Sequence, residues 1–281
     1  DLARPTLMSI CCEAVGGDPN ATIPFAVPLS LISGALDIQD DIIDQSKTKH
    51  GQPTVYGKYG KEIAILAADA LIFKGFESLH EACINISKER ANKIMRIIKD
   101  MFYELGDAEA LELKLRRKLD VDPKEYLYIV EKKAADIEAH TYIAGILSTT
   151  NHQKIKELAM YGRLVGSLVI IRDDILDVMD ENELKNRILK EHLPLPVLYA
   201  YSKDEETMSE LRKILRKRKI IKSDTRKIQK IVNKSDGFKT TLNVLRKLFD
   251  RASKVIRKFD CYENLDIFIS SIYYEVETAI N

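Results

Sequence analysis

The residues of this sequence best suited to chemistry form one aspartate pattern, Asp-Asp-x-x-Asp, that occurs twice. The first copy is 40-DDIID-44 and the second is 173-DDILD-177, and each follows a long apolar stretch. On an α-helix, positions i and i+4 lie on one face and position i+1 lies about 100° away. Each copy therefore places two carboxylates together with a third beside them, and such a cluster needs nearby positive charge.

Hard divalent cations supply this charge. Mg²⁺ prefers oxygen ligands and is commonly shared between a few carboxylates and the phosphates of a substrate. We predict that the two clusters hold a diphosphate between them through bridging Mg²⁺ ions. The predicted metal ligands are Asp40, Asp41, Asp44, Asp173, Asp174 and Asp177. The alternative, an acidic surface helix that contains the pattern by chance, suits one copy better than two copies in the same apolar context.

The elements that carry these motifs are predicted to be helices. Apolar residues recur at three- and four-residue steps, whereas alternation over strand lengths is essentially absent. The periodic stretches are 62–83, 89–104, 124–147, 155–180 and 239–258. No linker rich in Gly, Ser or Pro divides the chain. We therefore predict an all-α protein, a single bundle of about ten helices forming one domain over residues 1–281.

The composition fits an ordinary globular protein, with 45% hydrophobic and 31% charged residues. Charged residues are expected to interrupt each apolar run before the ~18–20 residues that a membrane helix needs. The four cysteines lack metal-binding spacing, and we interpret them as reduced core residues of a cytoplasmic protein. The net charge of +1 gives no sign of nucleic-acid binding.

One region departs from this balance. Residues 211–258 contain 18 Lys/Arg against 3 Asp, and the stretch 212-RKILRKRKIIK-222 is the densest part. A solvated helical face would explain the charge. Peripheral contact with anionic lipid headgroups would also explain it, and both interpretations stay open here. Binding to nucleic acid is disfavoured because no aromatic residues are interleaved with the charges.

Further segments resemble the trans-isoprenyl diphosphate synthases, or polyprenyl synthetases, over nearly the whole chain. The stretch 51-GQPTVYGKYGKEIAILAADALI-72 resembles the one that follows the family's first aspartate motif. Residues 4-RP-5 with 13-EAVGGD-18 resemble an early segment, and 194-PLPVLYA-200 resembles the helix start after the second motif. The run 126-YLYIVEKKAA-135 resembles the helix that carries a diphosphate-binding lysine, here Lys133.

The resemblance implies the isoprenoid synthase fold, with a central apolar cavity, and a homodimer. By the same resemblance, we expect this sequence to lack the family's N-terminal segment. The resemblance also implies a reaction in which Mg²⁺ on both motifs removes the diphosphate from an allylic substrate. Isopentenyl diphosphate then attacks the remaining cation. The residues implied to bind diphosphate are Arg4, Lys49, His50, Lys133 and Arg187, and those implied to set product length or line the cavity are Ala35, Leu36, Asp37 and Ile170.

The chain departs from the family mainly where isopentenyl diphosphate binds. The Gln or His before the first motif is Ser33, and the Arg-Arg pair after it is Lys49-His50. The Gln three residues before the second motif is Ile170. These changes leave two alternatives open. In the first alternative, the protein is a class I terpene synthase or transfers the prenyl group to another acceptor. In the second, it is a non-catalytic subunit of a heteromeric synthase, although the six intact aspartates argue against this.

Two cavity residues carry their own expectations. The small Ala35 stands where bulk shortens products in this family, so any elongation product is expected to reach about twenty carbons or more. Asp37 lies one turn before the first motif and faces the same side. It either pairs with Lys47, Lys49 or His50, or it brings polarity to the mouth of the hydrocarbon cavity.

Overall fold

The computed structural model describes residues 2–49 and 51–280, and this part of the chain is almost entirely helical. The helices are α1 (Ala3–Ala14), α2 (Ile23–Ile43), α3 (Val55–Tyr59), α4 (Lys61–Ile84), α5 (Lys88–Leu115), α6 (Pro123–Lys133), α7 (Ala135–Ser148), α8 (His152–Met179), α9 (Glu181–Lys190), α10 (Leu195–Tyr201), α11 (Glu205–Leu215), α12 (Lys222–Lys234), α13 (Gly237–Ile256) and α14 (Glu263–Ile280). A 3-10 turn, Pro19–Thr22, precedes α2. The only strands in these residues are β1 (Thr48–Lys49) and β2 (Gln52–Pro53), an antiparallel hairpin in which Lys49 pairs with Gln52.

The all-α prediction is confirmed. The described residues form fourteen α-helices rather than about ten, because some periodic stretches contain a break that apolar spacing does not reveal. The stretch predicted over 124–147 divides into α6 and α7 at Ala134, which caps α6 by donating its backbone N–H to the carbonyl of Val130. Ala134 is 1% exposed, and a side chain added at Gly166 of α8 would come within 2.7 Å of its Cβ.

The described residues group into two compact units. Unit 1 comprises Asp1–Met101, Asp136–Gly162 and Ile256–Leu265, whereas unit 2 comprises Phe102–Ala135, Arg163–Val255 and Asp266–Asn281. The first aspartate motif belongs to unit 1 and the second belongs to unit 2. The organisation of the chain as one domain stays a prediction.

In unit 1, helices α2 and α4 pack through small side chains. Ala35 of α2 is completely buried in a cluster with Ala64 and Ala68 of α4, and Ile38 lies one turn further along α2. Alanine side chains allow two helix axes to approach closely, which holds the last turns of α2 against its neighbour. Those last turns carry the first aspartate motif.

Helix α2 corrects one expectation drawn from the sequence. With the preceding turn it forms the one helix, among the described residues, that is long and apolar enough to cross a membrane, with a mean hydropathy of 1.5 in an 18-residue window of Pro19–Ile43. Charge does not interrupt this run early, because residues 19–36 contain no charged side chain. Buried core helices have the same composition, and Leu29 and Ile32 of α2 are at most 1% exposed.

In unit 2, helix α8 places one continuous apolar face in the core. Leu168, Ile171, Ile175 and Val178 recur at three- and four-residue steps and are all 0% exposed. This spacing fixes the rotation of the helix, and with it the directions of the aspartates in the second motif.

The four cysteines are free. Cys11 and Cys12 lie in the core as predicted, and Cys83 is half-buried. The core prediction is wrong for Cys261, which is exposed because it lies in the turn between α13 and α14.

Candidate active site

The first aspartate motif lies at the C-terminal end of α2, where Asp44 caps the helix through a 2.8 Å hydrogen bond from its backbone N–H to the carbonyl of Asp40. The C-terminal end of a helix carries partial negative charge, which disfavours further anions. Lys49 supplies the compensating cation. Its Nζ lies 2.8 Å from Asp41 Oδ1 and 3.4 Å from Asp40 Oδ2.

The β1–β2 hairpin positions Lys49. The Thr54 hydroxyl donates to the carbonyl of Ser46 at 2.7 Å, and the backbone N–H of Gly57 donates to Thr54 Oγ1 at 2.9 Å. Residue 57 must be glycine, because a Cβ there would collide with the carbonyl oxygen of Lys47. This packing gives a structural reason for the residues that follow the first motif. His50, predicted to bind diphosphate, lies outside the described residues.

The ionisation of this cluster follows from burial and charge. Burial raises the pKa of Asp41, and the ion pair with Lys49 only partly offsets the rise. Burial also lowers the pKa of Lys49, but Asp40, Asp41 and Asp37 outweigh it, so the net shift is upward. Lys49 therefore stays charged at neutral pH and neutralises part of the motif.

Arg4 of α1, predicted to bind diphosphate, is held by two carboxylates. Its Nε donates to Asp136 Oδ2 at 2.7 Å, and its two terminal nitrogens donate to the two oxygens of Asp37 at 3.3 Å. Asp37 therefore pairs with Arg4 rather than with Lys47 or Lys49, as considered from the sequence, whereas His50 lies outside the described residues. The exposed side chain of Asp37 and the buried one of Asp136 clamp the guanidinium from two sides.

Asp136 of α7 is the centre of a buried polar cluster. Ser33, at the position where the family has Gln or His, donates to Asp136 Oδ1 at 2.7 Å. His140, completely buried, lies one turn along α7 with its Nδ1 at 3.5 Å from the same oxygen. Burial raises the pKa of Asp136, but His140, Arg4 and Ser33 outweigh it and the net shift is downward. The carboxylate is therefore ionised and fully engaged.

The second motif lies near the C-terminal end of α8. Asp173 is the most exposed of its aspartates, with a side chain 48% exposed, and Arg172 donates to its Oδ1 at 2.9 and 2.7 Å. Asp174 is 1% exposed and turned inward. Its Oδ1 accepts from Arg187 at 2.6 Å and its Oδ2 accepts from the backbone N–H of Leu195 at 3.0 Å. Leu195 opens α10, so the segment after the motif contributes a helix N-terminus to Asp174.

Arg187 of α9 is the buried counter-charge of this motif. Besides Asp174, it lies 3.2 Å from Glu191 and 3.8 Å from Asp177. Burial lowers the pKa of Arg187, but the nearby carboxylates outweigh this effect, so the net shift is upward and the guanidinium stays charged. Burial also raises the pKa of Asp177 to about 7 despite the nearby arginine. Arg187 and Lys49 each pair with an aspartate of the nearby motif, and their binding to diphosphate stays a prediction.

Lys133 connects to Arg187 through two residues that sequence reasoning missed. Its Nζ lies 2.5 Å from Glu112 and 2.8 Å from Glu109. Glu112 also lies 2.8 Å from His192 Nδ1, and His192 Nε2 lies 2.7 Å from Arg187. A guanidinium only donates, so His192 Nε2 accepts from Arg187.

The only sequence signals for these partners were weak. Glu109 and Glu112 follow the periodic stretch 89–104, and His192 begins the proline-containing segment 192-HLPLP-196. Burial raises the pKa of Glu112, but Lys133 and His192 outweigh this effect and lower it well below the ordinary value. Glu112 is therefore a structural anion at neutral pH.

Replacing Glu112 with glutamine is expected to cost about 2 kcal/mol of unfolding free energy at neutral pH, the range for hydrogen bonds to charged groups. A carboxylate whose pKa is lowered by folding stabilises the fold above its unfolded-state pKa, and this contribution disappears as the pH falls through the folded-state value. The difference in unfolding free energy between wild type and Glu112→Gln should therefore narrow below pH 4.5, the ordinary pKa of a glutamate side chain. Urea unfolding at several pH values measures it. Glu206→Gln, on the exposed surface, is the control, and a gap independent of pH would contradict the assignment.

The residues predicted to line a cavity have different surroundings. Ala35 is fully buried against α4, Leu36 and Ile170 are half-buried, and Asp37 is exposed and bound to Arg4. Their effect on product length stays a prediction.

The motif aspartates suit Mg²⁺ without forming a closed cage. No three carboxylate, His or Cys side chains of residues 2–49 and 51–280 are grouped as a preformed metal site. Mg²⁺ needs only one or two protein carboxylates, because waters and substrate phosphates complete its octahedron. The side chains of Asp40 and Asp173 are 30% and 48% exposed and offer acceptor oxygens at helix ends that favour cations. Their chemistry therefore fits the metal.

The chain resembles known proteins over most of its length. A model of the polyprenyl synthetase family matches residues 2–234. The chain is 35% identical over 181 residues to a short chain isoprenyl diphosphate synthase of Methanothermobacter thermautotrophicus, covering 64% of this chain and 55% of that protein. It is 31% identical over 186 residues to a geranylgeranyl diphosphate synthase of Methanosarcina mazei, covering 66% and 57%. The matches thus span about half the length of these curated relatives.

Solved structures extend the likeness to almost the whole chain. The structure of geranylgeranyl pyrophosphate synthetase from Pyrococcus horikoshii aligns with a TM-score of 0.86 at 31% identity, covering 96% of this chain and 84% of that one. A polyprenyl synthase from Caulobacter crescentus, complexed with calcium and isoprenyl diphosphate, aligns with a TM-score of 0.85 at 21% identity, covering 96% and 83%. The second likeness shows the fold alone.

Proposed function

The chain belongs to the polyprenyl synthetase family, and we propose from this premise that it is a Mg²⁺-dependent prenyltransferase that couples an allylic isoprenoid diphosphate to isopentenyl diphosphate. The observation that carries the proposal is the placement of both aspartate motifs at helix C-terminal ends, each against its own cation. Such ends attract cations and suit metal-bound diphosphate. The relatives named as geranylgeranyl diphosphate synthases support a product of that type.

The chemistry divides between metal and protein. When bound, Mg²⁺ supplies Lewis-acid stabilisation of the departing diphosphate. Lys49, whose side chain is 47% exposed, could turn from Asp41 to an oxygen of a bound diphosphate. Lys133 is held by Glu109 and Glu112, and it would have to turn from them to add a point charge to the leaving group. Arg187 keeps Asp174 ionised and oriented.

A second candidate function is supported by the Arg4 cluster. Arg4 would bind isopentenyl diphosphate by resemblance, yet it is engaged by Asp37 and Asp136, and Ser33 is turned to Asp136 as well. Two carboxylates against one guanidinium leave a net negative charge that repels a second diphosphate. Ionisation of the allylic substrate followed by cyclisation, or by transfer to an uncharged acceptor, therefore ranks second.

Product analysis separates these functions. The protein is incubated with Mg²⁺ and ten-, fifteen- or twenty-carbon allylic diphosphates, each with and without isopentenyl diphosphate. We expect longer diphosphates only when isopentenyl diphosphate is present. Hydrocarbons or alcohols formed without it would replace the first function by the second. The absence of turnover under every condition would contradict both, and would favour the non-catalytic subunit.

The assembly and location follow the same resemblance. We propose a homodimer in the cytoplasm, with the basic residues 211–258 of α11, α12 and α13 available for peripheral contact with anionic lipids. Sedimentation of the purified protein alone tests the homodimer, and sedimentation with anionic vesicles tests the lipid contact.

A further inference from the structure

A cavity of about 440 Å³ lies in unit 2, and its lining includes none of the aspartates of the second motif. Three segments form it: the turn after α5, the C-terminal part of α9 with the residues that follow it, and the end of α11 with residues 216–218. Its volume is within the range of ~300–1,000 Å³ typical of small-molecule sites. Part of the densest basic stretch therefore lines a concavity and is not simply a solvated helical face.

The charges around this cavity are unbalanced. Its two acidic residues already have cationic partners, since Asp120 pairs with Arg212 at 3.3 Å and Glu191 pairs with Arg187 at 3.2 Å. Its lysine, Lys217, pairs with Asp224 at 2.5 Å. The three remaining cations, Arg117, Arg216 and Arg218, are exposed and form no ion pair within the part of the chain that the structure describes.

The floor of the cavity is apolar. Ile188, Leu193 and Leu215 are 6%, 4% and 7% exposed, and Leu119 and Leu189 are half-buried beside them. An apolar floor below three guanidinium groups matches a ligand with a phosphate head and a hydrocarbon tail. Guanidinium groups bind phosphate oxygens through paired hydrogen bonds, and the floor covers the tail.

We propose that this cavity is a second ligand site, distinct from the aspartate motifs, for an isoprenoid monophosphate or diphosphate. The site does not depend on Mg²⁺, because its charge comes from Arg117, Arg216 and Arg218. Glu191 lies in its wall and bonds Arg187, while its carbonyl accepts from the Arg117 backbone N–H at 3.2 Å. The ligand therefore binds beside the residue that orients Arg187, which makes the site suited to regulation.

Calorimetric titration of the purified protein with geranyl diphosphate, in the presence of a metal chelator, tests the site. Withholding metal, in an Asp40→Ala/Asp173→Ala background, suppresses binding at the aspartate motifs. We expect saturable binding of geranyl diphosphate, weaker binding of inorganic diphosphate and no detectable binding of geraniol. Binding to phosphatidylglycerol vesicles without binding of the free diphosphate would overturn the proposal, because the surface would then be a lipid contact.

Matched variants separate this site from general charge. The double variant Arg216→Ala/Arg218→Ala should weaken the binding of geranyl diphosphate by about a hundredfold, about tenfold for each lost charge-assisted contact. Arg117→Ala should weaken it by about tenfold. The control, Lys213→Ala/Lys230→Ala, removes the same number of exposed charges outside the cavity and should leave the affinity within about twofold. Equal weakening by both double variants would refute the site. The measurement involves no turnover, so it stands whether or not the proposed reaction is found.

Discussion

Replacing Asp40 or Asp173 with alanine is expected to lower kcat by about 10³-fold, which corresponds to ~4 kcal/mol of transition-state stabilisation. Asp40 has a more exposed side chain than Asp41, and Asp173 has the most exposed side chain of the second motif. Each change therefore removes an accessible ligand for the metal that would stabilise the departing diphosphate. Steady-state kinetics with varied Mg²⁺ measure the loss. The Mg²⁺ concentration for half-maximal rate should rise in the same variants.

The control for these variants is Asp260→Ala, because the Asp260 side chain is 91% exposed in the turn before α14. It should retain kcat and the Mg²⁺ dependence of the wild type. If Asp40→Ala and Asp173→Ala keep wild-type kcat at every Mg²⁺ concentration, the motifs are not metal clamps and the proposed function fails. Circular dichroism of each variant excludes loss of the fold as the cause.

Replacing Asp136 with alanine is expected to lower the free energy of unfolding by about 3–5 kcal/mol, the usual cost of removing one partner of a buried ion pair. The change strands Arg4 and Ser33, which donate to this carboxylate at 2.7 Å each. It also leaves the buried His140 without its nearest carboxylate. Urea unfolding at neutral pH measures the loss.

The isosteric variant Asp136→Asn should lose less stability than Asp136→Ala, because the amide oxygen still accepts one hydrogen bond. Asp260→Ala again serves as the surface control, with an expected change within about 0.5 kcal/mol. A loss below about 1 kcal/mol for Asp136→Ala would show that Arg4 is not held as the structure places it, since even one stranded buried donor costs more. Arg4 would then be available to bind a diphosphate, which would strengthen the proposal that isopentenyl diphosphate is the acceptor.

Long apolar periodicity could be read from the sequence, whereas the partners of the site could not. The stretch predicted over 155–180 corresponds closely to α8, because many buried positions at regular spacing define one long helix. The break at Ala134 was missed because its backbone is nearly helical and neither Gly nor Pro marks it.

The site residues show the same division. Spacing alone predicted that the first and last aspartates of each motif share a helix face, since i and i+4 lie on one face of any helix. The pairing of Arg4 with Asp136 spans 132 residues of sequence, and that of Lys133 with Glu112 spans 21. Such partners are chosen by the packing of helices that are distant along the chain. A single sequence shows their charges but not which of them meet.

The two counter-charges differ in how freely they can leave. Lys49 is a half-exposed, flexible side chain on a short hairpin, whereas Arg187 is 15% exposed and bound by Asp174 and Glu191. Side chains in contact with solvent change rotamer within nanoseconds, but a buried arginine held by several carboxylates moves only when its surroundings rearrange. We therefore expect the first motif to load its ion first and rapidly, while the second follows in a slower step, so that the order of assembly is built into the burial of two cations.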